Sequence, residues 1–294
     1  MSLSRVLQSG FFPGLVRWAP SSLGRLFFQY VGKLYYLFAN TKERRLIRNN
    51  VRDLLRSTWH QNSERAVRPV FDGIFDHYYE KILLATKPLD YLRRFLQKRV
   101  VLVGEKNLVE AQKRGKGSLI VTAHWGAEEL IPAILSMRGY PVTVILETST
   151  PALRSILEER ARGQDLELLF ASDPGGVLER ILGALSRGRI LVTQCDEVDA
   201  WRKRKSRTIE LFGHTLFFDH TLDFIARASG ASVIAMYNRR LPSLRYRVVC
   251  ESIALDGAVA KDVATKSLAL WERYTLEAPD QWHQWKKWAD MKAI

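Results

Sequence analysis

Short apolar runs alternate with segments of helical periodicity over the chain after residue 100. Runs rich in β-branched and aliphatic residues predict strands at 100–104, 118–123, 142–146, 166–170, 189–195, 232–237 and 244–251. Helical spacing of apolar residues appears between and after them, at 105–114, 127–138, 151–162, 176–187, 218–229 and 261–277. This alternation predicts an α/β fold with a mainly parallel central sheet that is covered by helices on both faces.

Residues before 100 carry helical periodicity instead, and segment 41–99 is predicted to be entirely helical. The chain shows no internal repeat and no linker rich in proline, glycine and serine. We therefore predict one domain over residues 41–294, preceded by an amphipathic N-terminal segment, 1–40.

That N-terminal segment predicts a helix with an unusually narrow polar stripe. In "SLGRLFFQYVGKLYYLFAN", Arg25, Gln29 and Lys33 share the stripe, and aromatic and aliphatic residues fill the rest of the surface. Such a helix suits the plane of a membrane interface, with Phe27, Tyr30 and Lys33 in contact with lipid. Docking of the helix on the protein's own core explains the pattern equally well. Charges interrupt every apolar run before 18 residues, so no membrane span is predicted.

The charge of the chain indicates anionic partners. Lys and Arg total 45 against 31 for Asp and Glu, a formal charge of +14. Phospholipid headgroups, phosphorylated glycolipids, nucleic acids and acidic proteins all fit this charge. The densest cations are candidates for docking an anionic substrate, or alternatively form a solvated loop: Arg202, Lys203, Arg204, Lys205 and Arg207.

Three tryptophans near the end of the chain repeat at helical spacing beside two lysines. Trp282 and Trp285, followed by Trp288, are candidates for membrane anchoring because indole favours the membrane–water boundary. Packing of this terminal segment against the core is the alternative.

The stretch "SLIVTAHWGAEEL" places polar groups directly after a predicted interior strand. His124 lies where the carboxyl end of that strand opens a ligand crevice, and Gly126 permits a tight turn toward Glu128 and Glu129. Glu129 can fold back onto His124, and a carboxylate that accepts from one ring N–H makes the other nitrogen a better general base. The alternative is a structural histidine followed by carboxylates that stabilise a helix N-terminus. Asp196 follows another predicted strand on the same side of the sheet.

Several enzyme classes lack their local signatures here. The chain contains no GxSxG, HExxH, GxxxxGK[ST] or GxGxxG motif after a strand, which argues against serine hydrolases, zincins, P-loop enzymes and dinucleotide-binding folds. Cys195 and Cys250 lack the spacing of a metal site or a disulfide scaffold, and we expect no metal.

These motifs together resemble the bacterial lipid A biosynthesis lauroyl and myristoyl acyltransferases of the lysophospholipid acyltransferase superfamily. The family's histidine, four residues and an acid read "HWGAEE" here, which selects His124 and Glu129 and leaves Glu128 as an intervening position. "ILEERARG", "CDE", "LFG", "LDFIARASGASVIAMY" and "PDQWHQWKKW" follow in the same order, so the resemblance covers about residues 20–290.

The resemblance implies an acyltransferase of lipid A and lipopolysaccharide biosynthesis without cofactor. His124, held by Glu129, would deprotonate an acceptor hydroxyl of a lipid or glycolipid, which attacks an acyl thioester on acyl carrier protein or coenzyme A. Candidates for binding the oxyanion or a phosphate are Arg160, Arg162 and Asp196. The family also implies a bacterial inner-membrane location, peripheral or monotopic on the cytoplasmic face, with acyl carrier protein and an anionic membrane as partners.

Two rival functions use the same features differently. An amine or water in place of the hydroxyl would make the protein an N-acyltransferase or a thioesterase. The basic residues around 202–207 also permit nucleic-acid binding, although the sequence carries no RNA- or DNA-binding motif. We therefore expect no nucleic-acid partner.

Overall fold

Helices form the first third of the chain. The computed structural model describes residues 11–38, 42–59, 63–146, 151–162, 164–197, 207–254 and 262–292. Within this part, the helices before the first strand are α1 (Phe11–Trp18), α2 (Ser21–Phe38), α3 (Lys42–Trp59), α4 (Ser63–Thr86) and α5 (Leu89–Arg99). The predicted helical content of 41–99 is thus confirmed for the described residues of that segment, with a break between Thr86 and Leu89.

A seven-stranded sheet follows, with each strand where the apolar runs predicted it. The strands are β1 (Val100–Val103), β2 (Ser118–Thr122), β3 (Val142–Leu146), β4 (Leu166–Phe170), β5 (Ile190–Gln194), β8 (Ser232–Leu241) and β9 (Arg245–Ala254). Their order is β1-β9-β8-β2-β5-β3-β4, and all neighbours are parallel except β8 and β9. The mainly parallel α/β fold is therefore confirmed, with β2 in the middle of the sheet.

Helices cover both faces of this sheet. They are α6 (Glu105–Lys113), α7 (Ile131–Ser136), α8 (Pro151–Ala161), α9 (Val177–Ser186), α10 (Thr221–Ser229), α11 (Val263–Glu277) and α12 (Trp288–Met291). Successive side chains of β2 enter separate apolar clusters: Leu119 and Val121 join one, and Ile120 joins the other. A strand buried on both faces needs the continuous apolar run that "SLIVT" provides.

A small hairpin between β5 and α10 does not appear among the predicted strands. Its strands are β6 (Thr208–Leu211) and β7 (His214–Phe217), which pair antiparallel. The two connecting residues, Phe212 and Gly213, have φ of 54° and 71°, the left-handed conformation that a tight hairpin turn requires. Phe212 is buried, with its ring against Trp271 and Trp288, so side-chain packing holds a conformation that its residue type disfavours.

Helix α2 turns Arg25 and Gln29 of its polar stripe toward the protein, whereas Lys33 is exposed. The Arg25 guanidinium donates to both carboxylate oxygens of Asp76 on α4 at 2.9 and 2.7 Å, and the Gln29 amide donates to Asp76 at 3.3 Å. Phe28 is fully buried beside Tyr79, which also lies on α4. The opposite face leaves large apolar side chains exposed: Leu23, Leu26, Tyr30, Leu34, Leu37 and Phe38. The helix therefore docks on α4 and also presents an apolar surface to its surroundings.

Membrane-spanning length is absent from the described helices. None of the helices in the described ranges combines the length and hydropathy that crossing a bilayer requires.

Candidate active site

The parallel pairing of β2 with β5 brings His124 and Asp196 together. Thr122 lies opposite Gln194 in this register, and His124 and Asp196 each lie two residues farther along their strands. The His124 Nδ1–H donates to Asp196 Oδ1 at 3.0 Å, and the main-chain N–H of His124 donates to both carboxylate oxygens at 3.0 and 3.1 Å. One carboxylate thus fixes the backbone and the ring of the histidine.

Trp282 supplies a further hydrogen bond to this carboxylate. Its indole N–H donates to Asp196 Oδ2 at 2.7 Å, and both side chains are buried. Burial alone would raise the pKa of Asp196, but the charge and hydrogen bonds of His124 and the Trp282 indole hold that pKa below its usual value. The prediction that Asp196 binds an oxyanion or a phosphate is wrong, because a charged carboxylate that accepts these hydrogen bonds repels an anion.

The second ring nitrogen of His124 lies against an accessible carboxylate. Nε2 is 3.4 Å from Glu197 Oε2, whose side chain is about half exposed. Burial tends to lower the pKa of His124, but Asp196, with Glu128 and Glu197, outweighs burial and raises that pKa to about 9. The site is therefore built to stabilise an imidazolium.

Glu129 takes a different partner from the one that the sequence predicted. Its carboxylate accepts from Lys81 Nζ on α4 at 2.8 Å, and among the described residues the carboxylate at His124 Nδ1 is Asp196. The reason lies in the turn: Gly126 adopts φ of 65°, its N–H donates to Gln281, and a 3-10 turn follows at Glu128–Leu130. Burial would raise the pKa of Glu129, but Lys81 lowers it below its usual value. The catalytic role of Glu129 stays a prediction.

Glu128, the intervening position of the motif, belongs to a buried polar cluster. The His283 Nε2–H donates to its carboxylate at 2.9 Å, and the His77 ring stacks on His283 with centroids 3.5 Å apart. Burial and Glu129 raise the pKa of Glu128 to about 8, and burial, with neighbouring charged groups, holds the pKa of both histidines well below the usual value. A metal ion would use these same three residues, whose ligand atoms lie within 4.8 Å of one another, but the His283–Glu128 hydrogen bond satisfies the carboxylate without one.

This cluster lies directly beside the candidate base. The main-chain N–H of His283 donates to the His124 carbonyl at 3.0 Å, and the two imidazole centroids are 5.6 Å apart. Glu128, the intervening position of the motif, is thus a structural support of the site.

The membrane-contact prediction for Trp282 and Trp285 is wrong. Both side chains are fully buried, and their rings pack against each other with centroids 4.8 Å apart. The terminal segment runs under the site: Trp282 bridges Trp125 in antiparallel pairing, and the Asn50 amide donates to the Trp285 carbonyl at 2.7 Å. The alternative in the sequence, packing against the core, is confirmed.

The remaining predicted site residues either make no described contact with His124 or lie outside the described residues. The Arg160 guanidinium donates to the main-chain carbonyls of Ala85 and Lys87, both at 2.5 Å, so it anchors the end of α4. Arg162 is exposed at the end of α8, and its oxyanion role stays a prediction. Arg207 is half-buried. The other four docking candidates lie outside the described residues: Arg202, Lys203, Arg204 and Lys205.

Three residues of the site, which are Glu197, His283 and Lys81, carry no role in the sequence prediction. Glu197 follows Asp196 directly, and His283 follows Trp282, but their contacts with His124 depend on how distant segments meet. Lys81 lies on the long helix α4, and the helical pattern gives no sign that its side chain reaches Glu129. The equal distance of His124 and Asp196 from the ends of two strands is the one signal that would have paired them.

Comparison with known proteins identifies the family. No curated protein matches the chain significantly. A family model described as bacterial lipid A biosynthesis acyltransferase matches residues 10–287, nearly the whole chain. This span contains His124, Asp196 and the terminal segment that carries Trp282. The chain therefore belongs to the bacterial lipid A biosynthesis acyltransferase family.

Proposed function

We propose that the protein is an O-acyltransferase that moves a fatty acyl chain from a thioester to a hydroxyl of a lipid or glycolipid. The family supports acyl transfer to a lipid. The observation that carries the mechanism is the hydrogen bond from His124 Nδ1–H to the buried Asp196 carboxylate. It fixes the ring tautomer and leaves Nε2 as the atom that accepts a proton.

The reaction needs one base and no covalent enzyme intermediate. The acceptor hydroxyl takes the place of Glu197 at His124 Nε2 and gives its proton to that nitrogen as its oxygen attacks the thioester carbonyl. The tetrahedral intermediate collapses, the carbon–sulfur bond breaks, and the leaving thiolate takes the proton from Nε2. Asp196 stabilises the imidazolium between these two steps. The products are an acyl ester and the free thiol of acyl carrier protein or coenzyme A.

Glu129 and Lys81 complete the proposed catalytic set. Glu129 holds the Lys81 ammonium at 2.8 Å, and the charge of Glu129 raises the pKa of Lys81 to about 12. The Lys81 ammonium stays charged beside Glu129, the acid of the motif. It is therefore a better candidate for stabilising the oxyanion than Arg160, whose guanidinium donates to main-chain carbonyls.

A peripheral position on the inner membrane, on its cytoplasmic face, fits this substrate class. The exposed apolar face of α2 supports it, because an amphipathic helix with large apolar side chains outside lies stably in a membrane interface. The protein would then draw its lipid acceptor from the bilayer and its thioester from the aqueous side.

Purified protein with an acyl thioester and extracted lipid acceptors tests the proposed reaction. We expect His124→Asn to lower the rate of acyl transfer by about 10²- to 10⁴-fold, the usual contribution of a general base. Asn can still donate to Asp196, and thermal unfolding checks that the variant folds. Wild-type transfer rates in both His124→Asn and His124→Ala would sink the proposal. Mass spectrometry of the product separates an ester from an amide or a free fatty acid, the products of the two rival enzyme classes.

A further inference from the structure

A cationic groove opens at the end of α2 that lies nearest to α1. It has a volume of about 820 Å³ and lies between the α1–α2 connection and the start of α5. Its apolar walls include Trp18, Pro20, Tyr91 and Phe95. Ligand sites of drug-sized molecules have volumes of about 300–1,000 Å³, so the groove can hold a compact headgroup.

The charged side chains around this groove are mostly cations. Arg17, Lys87, Arg94 and Arg99 line it against one acid, Asp90. The Asp90 carboxylate lies 4.0 Å from the guanidinium of Arg93, a residue outside the groove lining. The groove therefore has a net positive charge that its own acid does not neutralise.

Two of these cations keep donors available. Lys87 is buried, and its ammonium lies over the Tyr91 ring, 4.7 Å from the centroid, and donates to the carbonyls of Arg17 at 3.1 Å and Ala19 at 2.7 Å, so these hydrogen bonds use two of its three protons. The exposed Arg94 guanidinium has no hydrogen bond or ion pair with any of the residues that the structure describes. An anion in the groove would satisfy both groups.

The groove continues directly into the apolar face of α2. Trp18, which lines the groove, is 82% exposed, and Leu23 and Leu26 on the next helix are 57% and 60% exposed. Cations adjoining an exposed apolar surface match the two layers of a membrane interface, in which phosphates lie just outside the acyl chains. Free phosphate in solution would need the cations and not the apolar surface beside them.

We infer that this groove binds the phosphate headgroup of an anionic phospholipid in the membrane on which α2 lies. The inference rests on the peripheral membrane position proposed above and adds a lipid-specific site to it. The headgroup phosphate would accept from Lys87 and Arg94, while the acyl chains pass beside Trp18 and the apolar face of α2.

Vesicle flotation of the full chain tests the groove. The wild-type protein is compared on phosphatidylcholine vesicles with and without phosphatidylglycerol. We expect Arg94→Gln to weaken binding to the anionic vesicles about fivefold, the usual effect of one cation near an anionic membrane, and to leave binding to neutral vesicles unchanged. Lys98→Gln is the matched control: it removes the same charge one helical turn away, outside the groove lining.

The outcomes separate the groove from the membrane position. If Arg94→Gln and Lys98→Gln weakened binding to anionic vesicles equally, general attraction between the charged surface and the membrane would explain the binding, and the groove proposal would be wrong. Binding of inorganic phosphate that depends on Arg94 as strongly as vesicle binding does would overturn the lipid assignment. Wild-type binding to neutral vesicles with no gain from phosphatidylglycerol contradicts the groove alone. Failure to bind either vesicle contradicts the peripheral position itself.

Discussion

His124 lies between two carboxylates that play different parts. Asp196 is buried at Nδ1 and fixes the ring, whereas Glu197 is half exposed at Nε2, where the acceptor must enter. Both raise the pKa of His124, which is about 9 despite burial. A base must be neutral to accept a proton, so kcat/KM should rise with pH as the imidazolium loses its proton near that value.

Glu197→Gln tests this arrangement through pH. Removing the carboxylate destabilises the imidazolium, so the pKa of His124 falls and the rising limb of kcat/KM moves to lower pH. The measurement is the pH profile of kcat/KM for the acceptor, with the thioester at saturation, because this ratio reports the enzyme before the acceptor displaces Glu197. Glu167→Gln, which removes an acid on strand β4 that pairs with Arg187, serves as the control. A midpoint that Glu197→Gln leaves in place would contradict the assigned role of Nε2.

For the individual residues of the site, the sequence predicts which side chains take part but not which of them are in contact. His124 and Asp196 both follow apolar runs, which identified them as polar groups at strand ends. The motif predicts Glu129, five residues away, as the partner of the imidazole, whereas the carboxylate at Nδ1 follows a neighbouring strand. Which strands are neighbours depends on topology, and no local pattern records it.

The terminal segment and helix α4 meet at a glycine. The backbone of Gly73 passes so close to residue 280 that an added Cβ would lie 1.8 Å from the Asp280 carbonyl oxygen. The next residues of this segment carry Gln281, Trp282 and His283, whose contacts with the site are described above. The close approach at Gly73 therefore positions Trp282 and His283, which support Asp196 and His124.

Gly73→Ala should separate these two elements. Overpacking of this kind costs about 1–3 kcal/mol of unfolding free energy, and the shift of Trp282 should lower activity as well. Gly183→Ala is the matched helical control, because its Cβ would meet only the Arg187 guanidinium at 3.6 Å, and we expect a gain of about 0.5–1 kcal/mol. Urea unfolding of both variants checks the difference. Equal stability in the two variants would show that α4 and the terminal segment are not in close contact.

Elements were predictable where one pattern repeats over several residues. The seven strands of the sheet and the helices between them have such patterns. The sequence does not predict the β6–β7 hairpin because its strands are four residues each and because its turn places Phe212 at positive φ, where glycine or asparagine is usual. The pattern predicts helix α2 but not the partner of Arg25, because Asp76 lies on another helix.

The whole molecule combines a charge of +14 with an exposed apolar helix face. Together they suit an anionic bilayer surface, on which apolar side chains insert and cations remain near phosphates. The sequence predicted the anionic partner from charge alone, but it left open which way α2 faces. The Asp76 contact decides that orientation by turning Arg25 and Gln29 inward.

Leu26→Ser should weaken attachment to vesicles without reducing stability. The side chain is 60% exposed, so folding gains little from it, whereas its insertion into a bilayer would contribute on the order of tenfold in binding. Val101→Ser on the edge strand β1 is the control, since Val101 is also 60% exposed but lies away from α2. We expect Leu26→Ser to float less with vesicles than the wild type does, while its thermal unfolding is unchanged. Equal losses in both variants would argue against α2 as the attachment surface.

The most direct test of the catalytic account is kcat/KM for acyl transfer by Asp196→Asn. Asp53→Asn is a close control, because Asp53 also accepts an indole N–H, from Trp288 at 2.7 Å, but makes no contact with His124. We predict a loss on the order of 10²- to 10⁴-fold for Asp196→Asn and near wild-type activity for Asp53→Asn. A folded Asp196→Asn protein with the kcat/KM of the wild type would contradict the claim that this carboxylate orients the catalytic base.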